Sequence, residues 1–214
     1  MKKEVDLRGL SCPEPVLKTK KLIDDSAVMT VEALVDSEVN VQNLARLARS
    51  QNLAFGTTRV GDHHKVTINR NSGEESQAPA AHSHSTNAAP QSTSGTRGGG
   101  TVLFISKDTF GHGADADKDH DFSLNLMNVF LQTATQSGHE IRAVLMANSG
   151  VKLMDPAGQH LKVLNELKER GTEVLACGLC LDYYGLKEKV PTEQITNMFA
   201  ICEYLFAADQ VLSP

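Results

Sequence analysis

The chain has 214 residues, of which 40% are hydrophobic and 22% are charged, and its formal net charge is −5 at pH 7. These values are typical of a soluble globular protein with one or two domains, and the negative charge argues against a general nucleic-acid binder. No apolar run approaches the roughly 18 residues that a membrane helix needs, and no apolar signal-peptide core follows the N-terminus. We therefore expect a cytoplasmic protein whose partners include neither a membrane nor nucleic acid.

The middle of the chain has the composition of a linker. Between Asn69 and Thr101 there is no Val, Ile, Leu, Met or aromatic residue, so this segment cannot bury enough apolar surface to offset the entropy of ordering it. Its two histidines, His82 and His84, have no other candidate ligand nearby, so we predict no metal site there. The expected organisation is a domain over residues 1–70, a flexible linker over 71–100 and a second domain over 101–214.

The first domain has the pattern of a small α+β unit. Ser37 is a good N-cap for its second helix, which carries Val41, Leu44, Leu47 and Ala48 on one face. Strands are predicted over residues 5–7, 28–35, 53–60 and 65–69, and helices over 13–25 and after Ser37. The order βαβαββ predicts two helices packed on one face of a four-stranded sheet.

Cys12 has the most informative position in this domain. It precedes Pro13, and proline favours the first helical turn because its missing N–H has no partner there. We expect Cys12 at or near the N-cap, where free N–H groups and the helix dipole favour a thiolate or persulfide; Pro15 stiffens the same turn. The alternative is a buried cysteine that merely precedes a helix.

These residues resemble a known family signature. The segment DLRGLSCPEPV, residues 6–16, is similar to the Cys-Pro-x-Pro signature of the TusA/SirA-like sulfur carriers. The resemblance implies that Cys12 carries a persulfide sulfur and hands it to a partner. Residues of the motif that support this role are Arg8, Gly9, Pro13 and Pro15.

The second domain alternates strands and helices. Strands are predicted over residues 102–106, 141–147, 174–176 and 210–212. Helices are predicted over residues 123–137, from Asp155-Pro156 to Gly171, and from Gln194 onward. This alternation predicts a mostly parallel sheet covered on both faces, with sites at the carboxyl ends of its strands.

Cys177 and Cys180 follow the third strand of this domain. One thiolate of a Cys-x-x-Cys pair can attack sulfur held on the other, or the pair can cycle through a disulfide. A thioredoxin-like pair usually lies at a helix start, whereas here we expect a strand end. Since zinc would need further ligands that the sequence does not offer, we predict no metal and no cofactor. Cys202 lies in an apolar helical stripe and is predicted to be core.

The loop after the first strand of the second domain matches two ligand motifs only in part. The segment from Phe110 to Gly113 lacks the third glycine of a dinucleotide loop, because Ala114, Asp115 and Ala116 follow it. The acidic residues from Asp115 to Asp121 resemble the start of a calcium loop, but His120 replaces its glycine and Leu126 its last ligand. We interpret both as a solvated loop, with His112 at a strand end beside the expected site.

The second half also resembles a known group. The runs NSGVKL at 148–153 and CGLCLDYYGLK at 177–187, with Thr196, Asn197 and Met198 later, are similar to the DsrE-like YedF family, described as sulfurtransferase-like proteins of selenium metabolism. A TusA-like domain fused to a DsrE-like domain is the layout of that family. The acid-rich loop at Asp115–Asp121 departs from it.

Together these observations predict a relay of sulfane sulfur, or of selenium as its analogue. Cys12 would accept the atom from a cysteine desulfurase or rhodanese-type donor, and Cys177 or Cys180 would take it over or resolve the adduct for an unknown acceptor protein. A linker of about 30 residues spans roughly 30 Å and lets the domains meet. The alternatives are a non-catalytic chalcogen-sensing module and a dithiol reductase. The C-terminal domain is the candidate surface for a homo-oligomer.

Overall fold

The computed structural model of the protein describes residues 1–70, 99–111 and 119–214. Within these ranges, no helix is both long and apolar enough to cross a membrane, and no group of three or more His, Cys, Asp or Glu side chains is placed to hold a metal ion. The predictions for His82, His84, His112, Asp115 and Asp117 lie outside the described residues, as does the linker up to residue 98.

The N-terminal half folds as the predicted α+β unit. Its elements are β1 Lys2–Asp6, α1 Glu14–Asp24, β2 Thr30–Val35, α2 Glu38–Ser50, β3 Ala54–Val60 and β4 His63–Asn69. The sheet has the order β1-β2-β4-β3, with β1 parallel to β2 and the other pairs antiparallel. Because β1 and β2 are parallel, α1 crosses over between them and begins beside the carboxyl end of β1.

Local signals explain the second helix. The Ser37 hydroxyl accepts the N–H of Asn40 at 3.3 Å, as expected of an N-cap. All four apolar residues predicted for one face of α2 are buried: Val41, Leu44, Leu47 and Ala48. They pack on the alternate buried positions of β2 and β4, which gives this half its own hydrophobic core.

The C-terminal half is a parallel sheet with helices. Its elements are β5 Thr101–Ile105, α3 His120–Gln136, β6 Ile141–Met146, α4 Leu161–Glu169, β7 Glu173–Cys177, α5 Gly178–Tyr183, β8 Ile195–Thr196, α6 Met198–Ala207 and β9 Gln210–Leu212. The described strands have the order β8-β7-β6-β5-β9, and each neighbouring pair is parallel. Alternate residues of β5, β6 and β7 enter two hydrophobic clusters on opposite faces, so the sheet is covered on both sides.

Two predicted helix starts in this half are wrong. Residues Asn148–Met154 form a 3-10 helix, and Asp155 then makes a tight turn, accepting the N–H of Ala157 on its side chain and that of Gly158 on its carbonyl. These local bonds compete with a helix, so α4 begins only at Leu161. The last helix begins at Met198 rather than Gln194, because Ile195 and Thr196 pair with β7 instead.

The apolar stripe predicted for the last helix is also wrong. Strand pairing removes Ile195 from the helix, and Ile201 is the buried residue of α6. Cys202 is half-buried rather than core, and Phe206 is 88% exposed. The helix has apolar residues on two sides, because one side faces the parallel sheet and Phe199 packs against the core of the N-terminal half.

The two halves meet along α2. Phe199 of α6 packs against the N-terminal core, and Val39 of α2 packs against the C-terminal core. Arg46 of α2 donates from Nη1 to the carbonyl of Ile195 at 2.7 Å and from Nη2 to the carbonyl of Glu193. We call these five residues, Val39, Arg46, Glu193, Ile195 and Phe199, the inter-domain interface.

Candidate functional site

The turn before Cys12 is held by side-chain hydrogen bonds. Arg8 donates from Nε and Nη2 to the two carboxylate oxygens of Asp6 at 2.8 and 2.6 Å, which lowers the pKa of Asp6 to about 2. Gly9 has a φ of +71°, a left-handed value that favours glycine, and its N–H donates to Asp36 at 2.6 Å. Leu7 is fully buried and anchors the start of the turn.

Cys12 lies directly before the N-cap of α1, near the helix start as expected. Pro13 is the N-cap of α1, joined to Cys12 by a cis peptide bond, and Pro15 lies in the first turn. Cys12 is half-buried, whereas Pro15 is buried. The predicted strand-to-helix placement of the cysteine is therefore found, but Cys12 itself is not the cap.

The environment of Cys12 does not favour its thiolate. Burial raises the pKa of Cys12 to about 11; the charge of Cys177 adds to this rise and Lys187 opposes it. The expectation that the helix start makes this thiolate abundant is thus wrong, because desolvation outweighs the helix terminus when the thiol is partly enclosed. The same interactions place Cys12 within electrostatic reach of Cys177 and Lys187.

Cys177 joins β7 to the short helix α5. It is the last residue of the strand and the N-cap of the helix, which begins at Gly178, so the expectation that the pair would not lie at a helix start is wrong. A Cβ at Gly178 would lie 2.9 Å from the Ile195 side chain, which explains why glycine follows the cysteine. Cys177 is 2% exposed; its sulfur accepts the N–H groups of Leu179 and Cys180, while burial raises its pKa.

Cys180 lies on the first turn of α5 and is half-buried. Its side chain interacts with that of Cys177, and its sulfur accepts the backbone N–H of Asn148 at 3.1 Å. Asn148 has a φ of +48°, which non-glycine residues rarely adopt. The two cysteines of the motif therefore face each other, and Asn148 fixes the sulfur of Cys180.

Sequence reasoning missed the residues that support Cys180. The Tyr184 hydroxyl donates to Asn148 Oδ1 at 3.3 Å, and the Lys152 ammonium lies 5.1 Å from the centre of the Tyr184 ring. Lys152 also pairs with the buried Asp108 at 3.3 Å. Asn148, Lys152 and Tyr184 fall within the segments quoted for the YedF resemblance, which was the available signal for them, but no spacing rule assigns them a role.

The structure thus brings three predicted cysteines toward one place. Cys177 and Cys180 interact directly, and Cys12 approaches Cys177 across the two halves. Cys202 has no interaction with them among the contacts of the described residues. A thiol pair beside a third thiol suits an exchange of sulfur between cysteines, because a thiolate attacks sulfur bonded to sulfur.

Comparisons with known proteins identify the family that the first half resembles. Residues 3–70 match the model of the family described as sulfurtransferase TusA. A crystal structure of a SirA-like protein from Desulfitobacterium hafniense is similar, with 28% identity over 32% of this chain and 96% of that chain and a TM-score of 0.30. The YchN protein from E. coli is similar over 54% of this chain and 99% of that chain, with 14% identity and a TM-score of 0.35. A search of curated proteins finds no match. The N-terminal domain of this chain is therefore TusA-like, of a sulfurtransferase family, which confirms the TusA/SirA-like part of the prediction.

Proposed function

We propose that the protein carries sulfane sulfur as a persulfide on Cys12 and passes it to the Cys177/Cys180 pair. The TusA-like domain supports sulfur transfer in general. The observation that carries the specific proposal is the contact of the two halves along α2, which leaves Cys12 near enough to Cys177 for the charge of Cys177 to raise the pKa of Cys12. An acceptor thiol beside the carrier thiol is what a relay within one chain requires.

The transfer balances without an oxidant or reductant. The Cys12 thiolate attacks the outer sulfur of a persulfide on a donor protein, the donor cysteine leaves as a thiolate, and Cys12 holds the persulfide. A thiolate at Cys177 or Cys180 then attacks that outer sulfur, and Cys12 leaves as a thiolate. If the second cysteine of the pair next attacks the inner sulfur, a Cys177–Cys180 disulfide forms, hydrosulfide leaves, and an external thiol must reduce the pair.

In this scheme Lys187 stabilises negative charge on the sulfur of Cys12. Its positive charge stabilises the thiolate of Cys12 against the effects of burial and of Cys177. The outer sulfur of a persulfide also carries negative charge, so Lys187 would stabilise the loaded carrier in the same way. The leaving thiolate of Cys12 gains from this charge during transfer to the pair.

The proposal also covers the family of the second half, the cellular location and the partners. We propose that the C-terminal half is DsrE-like, that the chain is similar to the YedF family, and that it acts in the cytoplasm with a cysteine desulfurase or rhodanese-type donor and an acceptor protein. Selenium would follow the same attack as sulfur, being its heavier analogue. The C-terminal half is our candidate for a homo-oligomer contact.

A dithiol reductase is the second candidate. The direct interaction between the Cys177 and Cys180 side chains favours it, because a disulfide needs its two sulfurs to meet. In that case Cys177 and Cys180 would lose two hydrogens on oxidation and Cys12 would stay unmodified. Mass therefore separates the two functions.

The test loads the full chain with a persulfide donor and measures the mass of each cysteine peptide. We expect a gain of one sulfur atom on Cys12 and, later, on the peptide of Cys177 and Cys180. The double variant Cys177→Ser with Cys180→Ser should leave the sulfur on Cys12, whereas Cys12→Ser should block loading of the pair. Cys202→Ser is the matched control and should load as the unchanged protein does.

Three results would contradict the relay. Loading of the pair in Cys12→Ser at the normal rate would show that the halves act on separate partners. A mass change confined to a Cys177–Cys180 disulfide would favour the reductase. No change at any cysteine would favour the non-catalytic chalcogen-sensing module.

A further inference from the structure

The Arg46 side chain crosses the inter-domain interface. It lies on α2 of the TusA-like domain and donates to two backbone carbonyls of the C-terminal half, those of Glu193 and Ile195. Its Nη1 also donates to the Asn43 side chain at 3.2 Å, one turn earlier on the same helix. Asn43 is buried, so the guanidinium is oriented by its own helix before it reaches its partners.

The carbonyls that Arg46 binds belong to the segment beside Cys177. In the parallel pair of β7 and β8, Ile195 is opposite Ala176 and Thr196 is opposite Cys177. The contact at Ile195 is therefore one residue from the strand position next to the cysteine.

Arg46 is linked to Cys12 through the two helices of the TusA-like domain. Cys12 precedes α1, and α1 packs against α2 within the core of the TusA-like domain. Since α1 and α2 share this rigid core, the position of Arg46 on the C-terminal half also sets where Cys12 lies. The electrostatic interaction of Cys12 with Cys177 and Lys187 is the result of that placement.

Groups around Arg46 offset part of the cost of its partial burial. Burial lowers the pKa of Arg46, while Glu173, Glu193 and Tyr204 act in the opposite direction. The Tyr204 hydroxyl donates to Glu173 at 2.6 Å, which holds that carboxylate in place. A guanidinium presents several N–H groups in a fixed plane and can serve two carbonyls at once, which a lysine ammonium does as a single point charge.

We propose that Arg46 is a positioning residue that docks the TusA-like domain on the β8 segment of its own C-terminal half, and that this docking presents Cys12 to Cys177. The docking is inferred from the contacts of Arg46. Its consequence, sulfur transfer from Cys12 to Cys177, rests on the proposed function. The partner of the α2 surface is thus the C-terminal half of the same chain.

The test measures docking and transfer separately in the full chain. In a background of Cys180→Ser with Cys202→Ser, only Cys12 and Cys177 remain, and the rate of their intramolecular disulfide formation under a mild thiol oxidant reports how often the two sites meet. Removing charge-assisted hydrogen bonds from this partly buried site should lower the rate roughly tenfold or more in Arg46→Ala. Arg46→Lys should give an intermediate rate, which decides the matter if Arg46→Ala proves unfolded by circular dichroism.

Arg59→Ala is the matched control. Arg59 lies on β3, on the exposed hairpin, and donates to Gly61 of its own turn, so its loss should leave the rate unchanged. Persulfide transfer from Cys12 is then measured in each variant with all four cysteines restored. A fall in both disulfide formation and transfer, specific to the Arg46 variants, supports the inference.

Two results distinguish a failure of the docking inference from a failure of the proposed sulfur relay. An unchanged disulfide rate in Arg46→Ala and Arg46→Lys would overturn the docking role of Arg46 and leave the proposed function standing. A fall in the disulfide rate, in a protein that shows no transfer even with Arg46 present, would support the docking and overturn the proposed function. Faster alkylation of Cys12 in folded Arg46→Ala supports the inference, because undocking removes the neighbouring Cys177.

Discussion

Cys12 shows how burial and charge compete at a single thiol. The turn that leads to it is fixed by Arg8 on Asp6 and by the left-handed backbone of Gly9. The helix start alone would favour an anion, yet partial burial and Cys177 raise the pKa of Cys12 to about 11. Lys187 is the group among its electrostatic neighbours that works in the opposite direction, so reactivity should depend on it.

Replacing Lys187 by Ala should slow the alkylation of Cys12. Loss of the positive charge destabilises the thiolate, so the pKa of Cys12 rises further and less thiolate is present at any pH below about 11. Iodoacetamide labelling of the native chain between pH 7 and 10, with peptide mass analysis, measures this rate. Lys189→Ala, in the same 3-10 helix, is the control; an equal effect of both variants would contradict a specific role of Lys187.

The candidate cysteines could be found from the sequence, but their environment could not. Cys-Pro-x-Pro and Cys-x-x-Cys are local patterns, and each lies where the chain passes from a strand into a helix. Asn148 was not found, because its N–H reaches a sulfur 32 positions further along the chain. A spacing rule describes neighbours in sequence, whereas desolvation and hydrogen bonding depend on neighbours in space.

At the scale of elements, α2 is both a core helix and the docking helix. Its apolar face packs on the sheet of the TusA-like domain, and the side that carries Val39 and Arg46 meets the C-terminal half. Its first turn depends on the Ser37 cap. A helix that serves two surfaces tolerates little fraying at its start, because Val39 lies in that first turn.

Replacing Ser37 by Ala should lower the free energy of unfolding by about 1 kcal/mol, because the Asn40 N–H loses its acceptor. Urea unfolding followed by circular dichroism measures the change. Ser37→Asp keeps an acceptor at the cap and should retain stability near that of the unchanged protein. Equal losses in the Ala and Asp variants would show that the cap bond is not the cause.

At the scale of the whole molecule, two phenylalanines of α6 have different roles. Phe199 and Phe206 both lie on α6, but Phe199 packs against the core of the other half, and Phe206 is 88% exposed. Together with Val39 and Arg46, Phe199 links the two halves. That each half folds independently of the other stays a prediction.

Phe199→Ala should destabilise the docked molecule by about 1–3 kcal/mol, since it removes a partly buried aromatic side chain from the interface. Phe206→Ala should change stability by less than about 0.5 kcal/mol, because its ring contributes little buried area. Thermal unfolding of both variants, with the Cys12–Cys177 disulfide rate as a second measure, tests the difference. Equal effects of the two substitutions would contradict the contact of Phe199 with the N-terminal core.

The sequence by itself determined the order of the elements in the first half, the Ser37 cap, the buried face of α2, the TusA-like character of that half and the mostly parallel sheet of the second. Each of these depends on local propensity, periodicity or a short motif, and these act over a few neighbouring residues. The tertiary structure alone decided that α6 begins at Met198, that Cys202 is not core, and that Cys12 has a raised pKa. It also decided that Arg46 binds a carbonyl 149 positions away. These outcomes follow from strand pairing, desolvation and charge at contacts between residues far apart in the chain, whose free energies no local pattern contains.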